Sequence, residues 1–101
     1  MGYIKAADLD ELQPGQTKLV SNEGTEVVLC NVDGQYYAVD NFCPHMGAPL
    51  CEGELDGSDL WCPFHGASFD VKTGDVLTPP AYENLKCFPV RLTDEGIEIE
   101  I

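Results

Sequence analysis

Ile97-Glu98-Ile99-Glu100-Ile101 alternates strictly between apolar and charged residues, the pattern of a strand with one wall buried and one in water. Asp94-Glu95-Gly96 separates it from a second short apolar run, Val90-Arg91-Leu92. Earlier in the chain, Lys18-Leu19-Val20 and Val27-Val28-Leu29 flank a turn at Asn22-Glu23-Gly24. Val32 and Gln35-Tyr36-Tyr37-Ala38-Val39 flank Asp33-Gly34, a strong signal for a two-residue hairpin loop. Only Asp8-Leu9-Asp10-Glu11-Leu12 reads as helical: a single turn with Asp8 as cap and Glu11 three positions on, stopped by Pro14-Gly15. No repeat or low-complexity linker interrupts the series. The pattern predicts an all-β chain of antiparallel sheets.

At 101 residues the chain is one domain, with a modest core that a metal site would help to hold. No apolar stretch approaches the roughly eighteen residues of a membrane span. The first residues, Met1 to Ala6, carry neither a signal-peptide core nor a Ser or Thr for myristoylation, so a cytoplasmic location without a membrane anchor is expected. Eighteen acidic against five basic residues give a net charge of −13, which argues against nucleic-acid or anionic-membrane binding. Five cysteines are an odd count, and free thiols fit a reducing compartment. Cys30 shares a strand face with Val28 and Val32 and is expected in the core, as is Cys87 in Leu85-Lys86-Cys87-Phe88. Cys51 is read as a bystander thiol.

The candidate chemistry lies in Cys43-Pro44-His45 and, sixteen residues later, Cys62-Pro63-Phe64-His65. Each box offers one thiolate and one imidazole, and the chain contains no other histidine. Such a set suits a [2Fe–2S] cluster in which two histidines replace two cysteines on one iron. A structural zinc site uses the same atoms, but its usual spacing groups Cys with Cys and His with His, whereas here they interleave. Gly47, Gly66 and Gly74 permit sharp turns and close backbone approach, while Pro44 and Pro63 pre-set the chain after each Cys. Trp61, directly before Cys62, is expected in the core.

Residues 41–80 resemble the cluster-binding half of the Rieske ferredoxins, the small electron carriers of bacterial aromatic-ring oxygenase systems. The likeness runs from Asp40-Asn41-Phe42 through both boxes and His65-Gly66-Ala67-Ser68-Phe69-Asp70-Val71-Lys72-Thr73-Gly74 to Pro79-Pro80-Ala81, which is similar to the proline loop that covers the cluster in the family. The resemblance implies that Cys43 and Cys62 hold the inner iron, and that His45 and His65 hold the outer, solvent-facing one. It also implies a base of sheets from residues 1–40 and 81–101, with residues 41–80 inserted as a cluster-binding subdomain. High-potential relatives carry an extra Cys in each box, and a Ser and a Tyr past the second. The corresponding residues here are Ala48, Phe64, Ala67 and Phe69, so neither the disulfide nor the hydroxyl hydrogen bonds can form. Without those bonds to the reduced cluster, the expected potential is low, about −150 mV. Imidazoles on the iron are acidified by the oxidised cluster, so this potential should fall in alkaline solution.

Both histidines are thus committed, leaving none for the second iron of a terminal oxygenase. No G-x-G-x-x-G fingerprint for a nicotinamide or flavin nucleotide is present. The expectation is a monomeric carrier without a substrate of its own, linking an NAD(P)H-dependent ferredoxin reductase to a terminal Rieske oxygenase of aromatic-ring hydroxylation. Glu52, Glu54, Asp56 and Asp59 fall between the boxes and suit steering toward basic patches on such partners. Two other readings are a Rieske-like small subunit of an assimilatory nitrite reductase and a zinc-stabilised binding module.

Overall fold

The computed structural model describes residues 2–42, 49–63, 67–78 and 84–101. The described residues form antiparallel strands: β1 (Tyr3–Ala7), β2 (Thr17–Asn22), β3 (Thr25–Val32), β4 (Gln35–Asp40), β5 (Leu55–Asp56), β6 (Asp59–Trp61), β7 (Ser68–Asp70), β8 (Val76–Thr78), β9 (Cys87–Phe88), β10 (Val90–Thr93) and β11 (Gly96–Glu100). They make three sheets, in the orders β1-β11-β10, β2-β3-β4-β9 and β5-β6-β7-β8. A 3₁₀ turn, Leu50–Glu52, precedes β5.

Hairpin chemistry sets the middle sheet. The register pairs Asn22 with Thr25 and Val32 with Gln35, so each connection is two residues long. Glu23 and Gly24 have φ of 51° and 86°, and Asp33 and Gly34 have 52° and 89°. Positive φ at both central residues defines a type I′ turn, whose twist matches that of the flanking strands. Asn31, buried beside the second turn, accepts the Gly34 N–H at 2.8 Å and donates from Nδ2 to the Leu12 carbonyl at 2.7 Å.

β3 is buried along Val27–Val32 on both faces. Val28, Cys30 and Val32 pack with Leu50, Leu60, Phe69 and Val71 in one core. Val27 and Leu29 pack with Ala6, Val20, Ile97 and Ile99 in the other. The middle sheet is therefore the shared wall between the β1-β11-β10 sheet and the β5–β8 sheet. Full burial of a Val or Leu contributes about 1.5–3 kcal/mol, so this strand anchors both halves.

Three expectations need correction. Residues 8–12 form a hydrogen-bonded turn and no helix. Glu11 does reach back to the Asp8 N–H at 3.1 Å, but the Asp8 carboxylate is taken by Lys5 at 2.6 Å rather than by the backbone donors of a helix start. Cys87 is exposed, because β9 is a two-residue strand at the sheet edge. Trp61 is half-buried: Leu60 and Cys62 take the inward positions of the period-2 pattern and turn Trp61 to the other face. Cys30 is in the core with Val28 and Val32, and Ile97 and Ile99 form the buried wall of β11, as read from the sequence.

Candidate metal centre

The two segments that carry the predicted ligands are flanked by short backbone pairings. At the first, Phe42 and Pro49 face each other across an isolated antiparallel bridge, with residues 43–48 between them. Just behind the bridge, the Leu50 N–H donates to the Asn41 carbonyl at 2.6 Å, and the Cys51 N–H donates to Asn41 Oδ1 at 2.9 Å. At the second, β6 and β7 pair Trp61 with Ser68, and the Cys62 N–H donates to the Ala67 carbonyl at 2.7 Å, with residues 63–66 between them in the sequence. Leu50 and Cys62 belong to one buried cluster, so both loop bases rest on the same core.

Of the four predicted ligands, Cys62 lies within the described residues and is 4% exposed. Cys43, His45 and His65 lie outside them, as do Pro44, Gly47, Ala48, Phe64, Gly66 and Pro79-Pro80-Ala81. Ala67 and Phe69 are fully buried in the cluster that holds Cys62 and carry no hydroxyl to donate. The donor set fits a [2Fe–2S] group of mixed ligation: a buried thiol, Cys62, with a histidine three positions on in the sequence.

The remaining cysteines are poor ligands. Burial pushes the Cys30 thiol up to about 12. Burial and then the Glu52 charge raise Cys51, and burial followed by Asp75 and Asp70 raises Cys87. The thiolate is the metal-binding form, so a raised pKa disfavours ligation.

The stem after the proline segment is tied to the β7–β8 turn. Leu85 N–H donates to the Gly74 carbonyl at 2.7 Å, and Val76 N–H to Asn84 Oδ1 at 3.0 Å. Gly74 has φ of 82°, and a Cβ there would run into the Leu85 carbonyl. Its glycine is thus required by both conformation and space.

Around the loop bases, Glu52, Glu54 and Asp56 are exposed and Asp59 is half-buried. Glu52 and Glu54 border a groove of about 380 Å³ lined also by Gly53, Trp61, Cys62 and Pro63. Phe42, next to the first loop, is 43% exposed. Sequence reasoning placed Asn41 and Phe42 within the family likeness without giving either a role, and passed over Gly53. An Asn beside a loop is a weak turn signal, but nothing in the sequence pointed to Phe42 as exposed or to Gly53 as crowded.

The Rieske [2Fe-2S] domain family matches residues 2–89. The ferredoxin component of the naphthalene 1,2-dioxygenase system of Pseudomonas putida is 36% identical over 98% of this chain and 95% of its own length. The biphenyl dioxygenase ferredoxin subunit of Pseudomonas sp. (strain KKS102) is 37% identical over 99% of this chain and 93% of its own. A chain in the complex of reduced oxygenase and oxidized ferredoxin of carbazole 1,9a-dioxygenase superposes with a TM-score of 0.93 at 33% identity, covering 96% of this chain and 91% of that one. A putative NADH-dependent nitrite reductase small subunit from Mycobacterium tuberculosis superposes with 0.85 at 28% identity, covering 97% and 93%. No helix among the described residues is long and apolar enough to cross a membrane. With its two loop bases on one core and ferredoxin relatives matching along nearly their whole length, the chain belongs to the Rieske [2Fe-2S] domain family, on its electron-transfer rather than its catalytic side.

Proposed function

We propose that this protein carries single electrons from an NAD(P)H-dependent ferredoxin reductase to the terminal Rieske oxygenase of an aromatic-ring-hydroxylating system. Cys43, His45, Cys62 and His65 hold its one [2Fe–2S] cluster. The observation that carries the reading is the end-to-end match to ferredoxin components of naphthalene and biphenyl dioxygenase systems. When bound, the cluster takes up and releases one electron. The chain's own residues fix the ligands and present the site. Cys62, buried at a loop base, supplies an inner thiolate, and His65, three residues on in the sequence, supplies an outer ligand. Residues 41–80 act as the cluster-binding subdomain on a base of residues 1–40 and 81–101. The β5–β8 sheet, drawn wholly from residues 55–78, supports that division. The carrier works as a cytoplasmic monomer.

Exposed Phe42 and the acidic rim at Glu52 and Glu54 form the docking side, giving fast, weak, salt-sensitive encounters with basic partner surfaces. A permanent small-subunit role in a nitrite reductase is the second reading, supported by the shared fold. Its lower identity favours the carrier. Stopped-flow reduction by an NAD(P)H-dependent ferredoxin reductase supplied with NAD(P)H, followed by reoxidation on mixing with an oxidised Rieske oxygenase, tests the proposal. Rapid transfer on both sides is expected, slowed at low salt by Glu52→Lys with Glu54→Lys. A protein that accepts no electron from any such reductase and co-purifies with a large enzyme contradicts it.

A further inference from the structure

We propose that Asn41 is a positioning residue for the cluster: oriented by Glu26, it clamps both ends of the Cys43–His45 loop and, through the 3₁₀ turn and Gly53, sets that loop's spacing from the Cys62 loop. The inference rests on the ligand assignment above. Asn41 is 1% exposed, two residues before Cys43. Its own N–H donates to the Glu26 carbonyl at 3.1 Å, tying it to β3. Its carbonyl and Oδ1 accept the Leu50 and Cys51 N–H groups, so one residue holds the backbone on both sides of residues 43–48.

A side-chain amide has an oxygen and a nitrogen of nearly equal size, and its neighbours decide which way it faces. Nδ2 donates to Glu26 Oε1 at 3.0 Å. An ionised carboxylate only accepts, so Glu26 forces the nitrogen toward itself and the oxygen toward the Cys51 N–H. The clamp continues into the turn. Gly53 N–H donates to the Leu50 carbonyl at 3.0 Å, and a Cβ on Gly53 would run into the Trp61 carbonyl. Trp61 N–H donates to the Glu54 carbonyl at 2.8 Å, and the next residue is Cys62. A continuous chain of contacts thus runs from Glu26 through Asn41, the 3₁₀ turn and Gly53 to the second loop base. Residues that orient metal ligands without touching the metal typically shift metal affinity by about 10–100-fold when removed.

The test uses purified holoprotein and three variants: Asn41→Ala, Glu26→Ala and Glu26→Gln. The readouts are the electron paramagnetic resonance of the reduced state, cluster release to an iron chelator, and hydrogen–deuterium exchange by mass spectrometry. Asn41→Ala is expected to speed release about tenfold. It should also alter the resonance and raise exchange over residues 50–53 while the β2–β3 hairpin stays protected. Glu26→Ala should move all three readouts the same way by a smaller factor. Glu26→Gln should recover most of the loss, since its amide oxygen still accepts from Nδ2 although it no longer bars the flipped amide. Unchanged release and resonance in Asn41→Ala overturn the proposal, as does equal behaviour of Glu26→Ala and Glu26→Gln, which would leave only a charge effect. A rise in exchange spread evenly over both sheets also overturns it. If Asn41→Ala yields no folded protein, the Glu26 pair decides alone. A wild-type protein lacking any Rieske-type resonance sinks the ligand assignment, and this proposal with it.

Discussion

Strands β2, β3 and β4 pair over six residues at each interface and turn through two-residue type I′ loops. In the β5–β8 sheet, β5 pairs with β6 over two residues and β6 with β7 over three, and the register shifts between Ser68 and Phe69. The middle sheet is specified by its own backbone and turn chemistry. The β5–β8 sheet is too short for that and depends on what it packs against: Leu50, Leu60, Phe69 and Val71 lie on the face of Val28, Cys30 and Val39. Short strands of this kind are marginal alone. The difference teaches that stability flows from the base toward the site, with the cluster completing the site's half.

The largest effect expected from breaking that arrangement is loss of a ligand. Cys62→Ala should abolish iron and acid-labile sulfide binding, and the metal-free chain should lose amide protection over residues 55–78 while Val27–Val32 stays protected. Hydrogen exchange on apoprotein and holoprotein checks this; equal loss in both sheets would mean that the two halves fold as one.

Packing comes next. Phe69 is fully buried in the core that holds Leu50 and Cys62, and Phe69→Ala should cost about 3–5 kcal/mol in denaturant unfolding. Ile97→Ala, in the other core, should cost about 2–5 kcal/mol and leave the cluster's spectrum unchanged, whereas Phe69→Ala should change it. A spectrum moved equally by both would erase the distinction between the halves.

Glycine substitutions sharpen the comparison on a smaller scale. Gly34 and Gly74 both have positive φ, but nothing lies within 4 Å of a Cβ at Gly34, while one at Gly74 meets the Leu85 carbonyl and Cys87 Sγ. Gly34→Ala should therefore cost about 1 kcal/mol from backbone strain alone. Gly74→Ala should cost more and disturb the stem of residues 84–87, which thermal unfolding and amide exchange at Leu85 can separate.

Electronic tuning should be smaller in free energy but plain in a voltammogram. With Ala67 and Phe69 beside Cys62 and no hydroxyl at either, the potential should lie near the low end of the Rieske range, about −150 mV. Phe69→Tyr should raise it. A wild-type value well above zero would contradict the assignment to the low-potential type.

The thiols give the smallest readout. Cys30 deprotonates only near 12 because of burial, so it should resist maleimide at pH 8 while exposed Cys87 reacts. An unfolded thiol ionises at about 8.5, so the stability conferred by the neutral Cys30 is complete below that pH. It should decline as pH rises from there toward 12. Mass spectrometry of labelled protein and alkaline unfolding curves check the two statements.

Where local pattern decides structure, the sequence was legible. Asp33-Gly34 prefers a type I′ turn whatever surrounds it, and Ile97 and Ile99 fall inward because alternation leaves them nowhere else. The two Cys/His boxes stood out as a candidate ligand set because iron chemistry calls for those residue types at close spacing. Of the four, Cys62 lies among the described residues, as a buried thiol. Legibility failed where a distant partner decided. The Asp8 carboxylate belongs to Lys5 and the Glu11 carboxylate to Lys18, so a cap signature became a turn. Cys87 follows an apolar pattern, but its strand is at an edge. Asn41 gains its role from Glu26, fifteen residues earlier on β3, which no local window contains.

The central claim is mixed Cys/His ligation of one cluster between two loops on a shared core. Electron paramagnetic resonance of the chemically reduced protein tests it most directly, with iron, zinc and acid-labile sulfide assayed on the same sample. A rhombic Rieske-type signal with about two irons and two sulfides per chain is the predicted result. A colourless, silent, zinc-loaded protein would contradict it.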